Sequence, residues 1–99
     1  MELNHIHEFI MLAETGNYLK AADQLFISQS ALSRHIQNLE KALGVQLFNR
    51  TTRSIELTEY GNIFLPHARS ILKIQYEYST DFYNHMNNIG STITVGCLP

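Results

Sequence analysis

Residues 17 to 44, NYLKAADQLFISQSALSRHIQNLEKALG, encode two amphipathic helices joined by a connection too short to let them separate. Asn17 suits the N-cap of the first, YLKAADQL, because its side-chain oxygen can accept a backbone N–H that has no partner at a helix start. Ala21 and Ala22 in its middle are small enough for another helix to approach closely. Phe26 and Ile27 form the connection, and Ser28 caps the second helix. Leu32, Ile36, Leu39 and Leu43 recur every third or fourth residue and form its buried stripe. Gly44 ends it, because glycine tolerates the left-handed conformation of a helix stop. Two helices joined by a turn of three or four residues, with small residues at the crossing, describe a helix-turn-helix.

The flanking segments complete a recognisable architecture. Leu3, Ile6, Phe9, Ile10 and Ala13 make one stripe of an amphipathic helix over 3–14, which Gly16 stops. After the helix-turn-helix, Val45 and Leu47, then Ile55 and Leu57, alternate with polar neighbours around the polar stretch NRTTRS. That pattern predicts a short two-stranded hairpin, or wing, over about 45–57 with a basic tip. Thr58 caps a long helix running to about Asn88, with Pro66 early in it, where a slight kink is expected. Its Phe64, Leu65, Ala68, Ile71, Leu72, Tyr78, Phe82 and Met86 fall near a 3.5-residue repeat, a stripe that a small core alone does not cover. The β-branched run from Thr92 to Val95 reads as a strand without a partner in this chain. The expected fold is therefore mainly α: a winged helix-turn-helix of three core helices plus a short two-stranded β wing, followed by a long dimerisation helix. Its division is a winged helix-turn-helix over 1–58, with the helix-turn-helix at about 18–43, a linker helix over 59–88, and the stub of a further domain over 89–99.

Composition narrows the class without fixing the function. Ninety-nine residues make one domain, and 44% hydrophobic residues suffice for a packed core. No apolar run approaches a bilayer span, and MELNHIHEF lacks the basic start of a secretory signal. The lone Cys97 forms no internal disulfide, which fits a reduced cytoplasmic setting. The net charge of −2 argues against nucleic acid when taken alone. The distribution argues otherwise. Glu2, Glu8 and Glu14 make the first segment acidic, whereas Lys20, Arg34, Lys41, Arg50 and Arg53 all lie between 17 and 57.

The helix over 28–43 carries the functional signal. At about 100° per residue, Ser30, Arg34, Gln37 and Lys41 project opposite the leucine stripe, with Ser33 on the flank and Gln29 at the tip. Gln can pair with adenine edges, Arg with guanine O6 and N7, and Ser with donors or acceptors, so the set suits major-groove contact. A solvated face would be richer in Glu and Lys. In the hairpin, Arg50 and Arg53 bracket Thr51 and Thr52, which suits phosphate contact, with Arg53 entering a narrow minor groove. On the long helix, Tyr76, Tyr78, Phe82 and Tyr83 supply the aromatic anchors that interfaces use, and its polar face is not basic enough for a membrane surface. His5 and His7 point to nearly opposite sides of a helix, His35, His67 and His85 are scattered, and no zinc spacing appears. No catalytic constellation appears either, so no enzyme is expected.

These residues bear a resemblance. NYLKAADQLFISQSALSRHIQNLEKALGVQLFNRTTRSIELTEYG resembles the N-terminal DNA-binding domain of LysR-type transcriptional regulators, in the AADQL segment, the SQSALSRHIQNLEKALG helix, LFNR with the arginine after it, and LTEYG. The resemblance implies a bacterial regulator that binds double-stranded promoter DNA, with Gln29, Ser30, Ser33 and Arg34 at the bases. It implies Gln37 and Arg50 at or near the backbone and Arg53 toward the minor groove; Lys41 and Thr52 are expected at or near the backbone as well. It implies a homodimer formed by antiparallel linker helices, no membrane partner and a cytoplasmic location. It implies no cofactor for residues 1–99; a small-molecule effector belongs to the domain that normally follows, whose first strand ITVGCLP resembles. The sequence departs from the family at Ser30, where many members have proline, and serine adds a donor and an acceptor. The alternative reading is a winged-helix interaction module that dimerises without binding DNA, for which the negative net charge speaks.

Overall fold

A computed structural model describes residues 2–50 and 55–89. Its elements are α1 (Leu3–Thr15), α2 (Tyr18–Leu25), α3 (Gln29–Leu43), β1 (Phe48–Asn49), β2 (Glu56–Leu57) and α4 (Glu59–Ile89). The mainly α winged helix-turn-helix expected from the sequence is the observed architecture. Local chemistry sets the boundaries. Gly16 and Gly44 stop α1 and α3 at φ 66° and 78°, in the left-handed region that suits glycine. The Asn17 side chain accepts the Lys20 N–H at 3.1 Å, and Ser28 Oγ accepts the Ala31 N–H at 3.0 Å. Phe26 ends α2 at φ 59°, a strained conformation for a bulky residue, and it lets Ile27 N–H bond back to the Ala22 carbonyl at 3.0 Å.

The core is the meeting place of every element. Ile6, Phe9, Ile10 and Leu12 of α1 pack with Ala21 and Ala22 of α2 and with Leu32, Ile36 and Leu39 of α3. Leu12, fully buried, was not in the stripe expected for α1, whereas Leu3 of that stripe is partly exposed and Ala13 half-buried. Leu47 and Phe48 close the core from the wing side, and Ala68 closes it from α4. The Phe9 ring sits between those of Phe48 and Phe64, at centroid distances of 5.4 and 5.3 Å, and so joins α1 to both the hairpin and α4.

The wing departs from the expected alternation. Its ladder is short, with Phe48 opposite Leu57 and Asn49 opposite Glu56, antiparallel. Leu47 and Phe48 are both buried. Leu47 stands before the ladder, where its N–H goes to the Glu40 carboxylate at 2.7 Å and its carbonyl accepts the Thr58 N–H at 2.9 Å. The expected basic tip, residues 51–54, lies outside the described residues. Thr58 Oγ1 then accepts the Gly61 N–H at 3.1 Å and donates to the Gln46 carbonyl at 2.6 Å, so the cap of α4 is tied to the root of the hairpin. The helix it opens continues through Pro66. The expected strand over Thr92 to Val95 lies outside the described residues.

Gly61 marks where α4 touches the hairpin. A methyl group there would overlap the Leu47 carbonyl oxygen and the Leu57 side chain. Gly61→Ala therefore exchanges a small gain in helix propensity, about 1 kcal/mol, for overpacking of roughly 1–3 kcal/mol or more against backbone that cannot yield. The expected outcome is net destabilisation, read in a denaturant melt as a lower midpoint with an unchanged slope. An unchanged or higher midpoint would show that α4 does not press on Leu47.

Candidate nucleic-acid interface

α3 offers one face to the core and the opposite face to the outside. With Leu32, Ile36 and Leu39 buried, Gln29, Ser30, Arg34, Gln37 and Lys41 are exposed and Ser33 is half-buried. Among the described residues, no carboxylate pairs with Arg34 or Lys41. The only acidic residue on α3 is Glu40, which is buried. The exposed face therefore carries two cations and no accessible anion. Its start at Gln29 also has the partial positive charge of a helix N-terminus.

Three acids are engaged within the chain, away from this face. Glu8 of α1 is buried and its Oε1 lies 2.8 Å from Nδ1 of His35, on the inward flank of α3. The His5 ring stacks on His35 at 4.5 Å with 19° between the planes, so α1 grips α3 through a histidine pair as well as through the core. Glu14 pairs with Arg69 of α4 at 3.3 Å across an exposed contact. Glu40 takes the Leu47 and Phe48 N–H groups at 2.7 and 3.2 Å.

Arg50, expected at or near the DNA backbone, is paired within the chain. Its Nη2 lies 3.1 Å from Glu40 Oε1, its Nη1 donates to Oε2 at 3.4 Å, and its side chain is 30% exposed. Burial lowers its pKa, but the Tyr18 hydroxyl and the Glu40 carboxylate outweigh that and raise it above the ordinary arginine value. Among the described residues the guanidinium's hydrogen bond goes to Glu40, while Nε, Nη2 and the Tyr18 hydroxyl are buried without a hydrogen-bond partner. Thr52 and Arg53 lie outside the described residues.

On α4, the expected interface stripe divides. Ala68 is 0% exposed within the chain's own core, so a second copy cannot reach it. Phe64, Leu65, Ile71 and Leu72 are partly buried against that same core. Tyr78 and Phe82 are exposed, with rings 5.7 Å apart, and Met86 is half-buried. The expectation that this stripe lacks cover within the monomer fails in its first half, because α1 packs on it. Sequence reasoning missed Tyr60, Ile63 and Ile74, which are exposed at 56–60% on the flank shared with Tyr78. Their spacing held the signal: Tyr60, Ile63, Ile74 and Tyr78 lie within about 60° of one another at 100° per residue. Among the described residues, no three His, Cys, Asp or Glu side chains converge as metal ligands, and no helix is long and apolar enough to cross a membrane.

Known proteins share this arrangement. Residues 3–62 match the family model described as bacterial regulatory helix-turn-helix protein, lysR family. The HTH-type transcriptional regulator TfdT of Cupriavidus pinatubonensis is 43% identical over 74 residues, which are 75% of this chain and 32% of that regulator. BenM of Acinetobacter baylyi is 36% identical over 96 residues, 97% of this chain and 31% of its own length. This chain thus spans about a third of the curated relatives it matches. Among solved structures, the CbnR DNA-binding domain in complex with DNA superposes with a TM-score of 0.82 at 40% identity, covering 86% of this chain and 98% of that one. The BenM DNA-binding domain with its benA site 1 DNA gives 0.81 at 38% identity, covering 85% and 98%.

The start of α3 depends on its cap. Ser28→Ala removes the acceptor of the Ala31 N–H and should cost about 0.5–2 kcal/mol of stability in a denaturant melt. Ser28→Asp, which restores an acceptor, should recover most of it. A loss in both variants would mean that Ser28 acts through something other than its cap.

Proposed function

Because the chain belongs to the lysR family of bacterial regulatory helix-turn-helix proteins, we propose that it is the DNA-reading part of a transcription regulator that grips an interrupted inverted repeat in promoter DNA as a homodimer. The observation that carries this reading is the outer face of α3, exposed and without an accessible carboxylate. Gln29, Ser30, Ser33 and Arg34 enter the major groove and meet base edges. Gln37 and Lys41, farther along α3, face the flanking phosphates. Arg53 reaches a minor groove, and Thr52 meets the backbone. The solved complexes of the BenM and CbnR DNA-binding domains with DNA support the same use of this fold here.

The dimer follows from α4. A helix of 31 residues, about 46 Å long at ~1.5 Å per residue, leaves Tyr60, Ile63, Ile74 and Tyr78 uncovered. A second α4 lying antiparallel on that flank would cover them. Two-fold symmetry then sets the two α3 helices at successive major grooves, roughly 34 Å apart. In this reading residues 1–58 bind DNA, 59–88 join the two copies, and 89–99 lead into an effector-binding domain that would hold the small-molecule effector. The protein works in the cytoplasm, where promoter DNA lies.

A titration with duplex DNA at several salt concentrations tests the reading. Affinity should fall steeply as salt rises, because bound phosphates release counterions. Absence of duplex affinity even at low salt would contradict it and leave a dimerising module. Arg34→Ala should lose about 1–3 kcal/mol on the preferred duplex and relax the preference at one position. An equal loss on random DNA would make Arg34 a phosphate contact. Arg53→Ala should weaken binding most on A·T-rich flanks, and indifference to the flanks would remove its minor-groove role.

A further inference from the structure

We infer that Arg50 is a positioning residue, locked to Glu40 so that the recognition helix sets the orientation of the wing, and that it does not bind phosphate. The inference rests on the DNA-binding reading and narrows it. Glu40 lies on the last turns of α3 and is buried. Its carboxylate collects two backbone N–H groups, from Leu47 at 2.7 Å and Phe48 at 3.2 Å, and the Arg50 guanidinium at 3.1 and 3.4 Å. A carboxylate accepts several hydrogen bonds at once, and those to charged donors are the stronger ones. One side chain of α3 thus holds the hairpin at its root and again where its first strand ends.

Arg50 is enclosed from the other side as well. The Tyr18 hydroxyl at the start of α2 is buried, as are Arg50 Nε and Nη2, with no aligned hydrogen-bond acceptor among them. The guanidinium therefore sits where α2, α3 and the hairpin meet. To reach a phosphate it would have to leave Glu40 with a buried, unpaired charge, which is strongly unfavourable. Lys41, on the same turn of α3 but exposed, has no such restraint. The lock bears on how the hairpin is held, since among the described residues the paired ladder behind Arg50 spans Phe48–Asn49 against Glu56–Leu57. Glu40 adds to that ladder a tie to α3 at the Leu47 and Phe48 N–H groups and at the Arg50 guanidinium.

The two roles predict opposite signs for one substitution. A duplex enriched from a random pool, and a scrambled duplex, are titrated across a salt series with the full chain and its variants. If Arg50 positions the wing, Arg50→Gln and Glu40→Gln each weaken binding to the enriched duplex by roughly 3–30-fold, and the double variant is no weaker than either. The log–log salt slope and the affinity for scrambled DNA stay at the wild-type values. If Arg50 binds phosphate, Arg50→Gln flattens the slope by about 0.9 and weakens both duplexes alike. Glu40→Gln then tightens binding, because it removes an anion and frees the guanidinium. That pattern would overturn the inference. Arg50→Lys covers the case in which Glu40→Gln does not fold: lysine keeps the charge but lacks the planar fork. Weakened binding by Arg50→Lys to the enriched duplex alone supports positioning, and unchanged binding overturns it. Absence of wild-type affinity for any duplex would defeat the DNA-binding reading first, and this inference with it, before any variant is compared.

Discussion

Burial of Leu32, Ile36 and Leu39 against α1 decides which side of α3 the rest of the molecule can use. A helix has one set of positions opposite any stripe, so docking these three side chains leaves Ser30, Arg34, Gln37 and Lys41 outside. The same docking brings Glu8 to His35 and Glu40 to the hairpin root. Phe9, held between Phe48 and Phe64, carries that order on to the wing and to α4. The exposed face of α3 is thus a consequence of core packing.

Electrostatics reconcile a net charge of −2 with the affinity for a polyanion that this account requires. What a duplex meets is the local field, and the local field of α3 is set by Arg34, Lys41 and a helix N-terminus. Glu8 and Glu40 lie inside, Glu8 against the His35 ring and Glu40 against the Arg50 guanidinium, which offsets its charge. Other acids of the chain, such as Glu14, Glu77 and Asp81, sit on α1 and α4. Buried carboxylates hold α3 in place, and the exposed acids lie on other elements.

The helix-turn-helix was legible in the sequence because its determinants are local. Caps at Asn17 and Ser28, stops at Gly16 and Gly44, and the period of Leu32, Ile36 and Leu39 each act within a few residues. What escaped depends on contacts between distant segments. Nothing local marks Glu40, and only the fold brings Leu47, Phe48 and Arg50 to its carboxylate. Nothing near Gly61 in the sequence marks the Leu47 carbonyl that leaves no room for a side chain there. On α4, a 3.5-residue repeat picked out Ala68 and its neighbours, the side that docks on the chain's own core, and passed over the flank of Tyr60, Ile63 and Ile74. Periodicity identifies an apolar face but does not say which of two neighbours will cover it.

Selection of bound duplexes from a random pool tests the central claim most directly, since it reports DNA binding, symmetry and half-site spacing in one measurement. The account predicts enrichment of an inverted repeat whose half-sites are one helical turn, or a multiple of it, apart. A pool that stays random through successive rounds, or that yields a single asymmetric site, would contradict it.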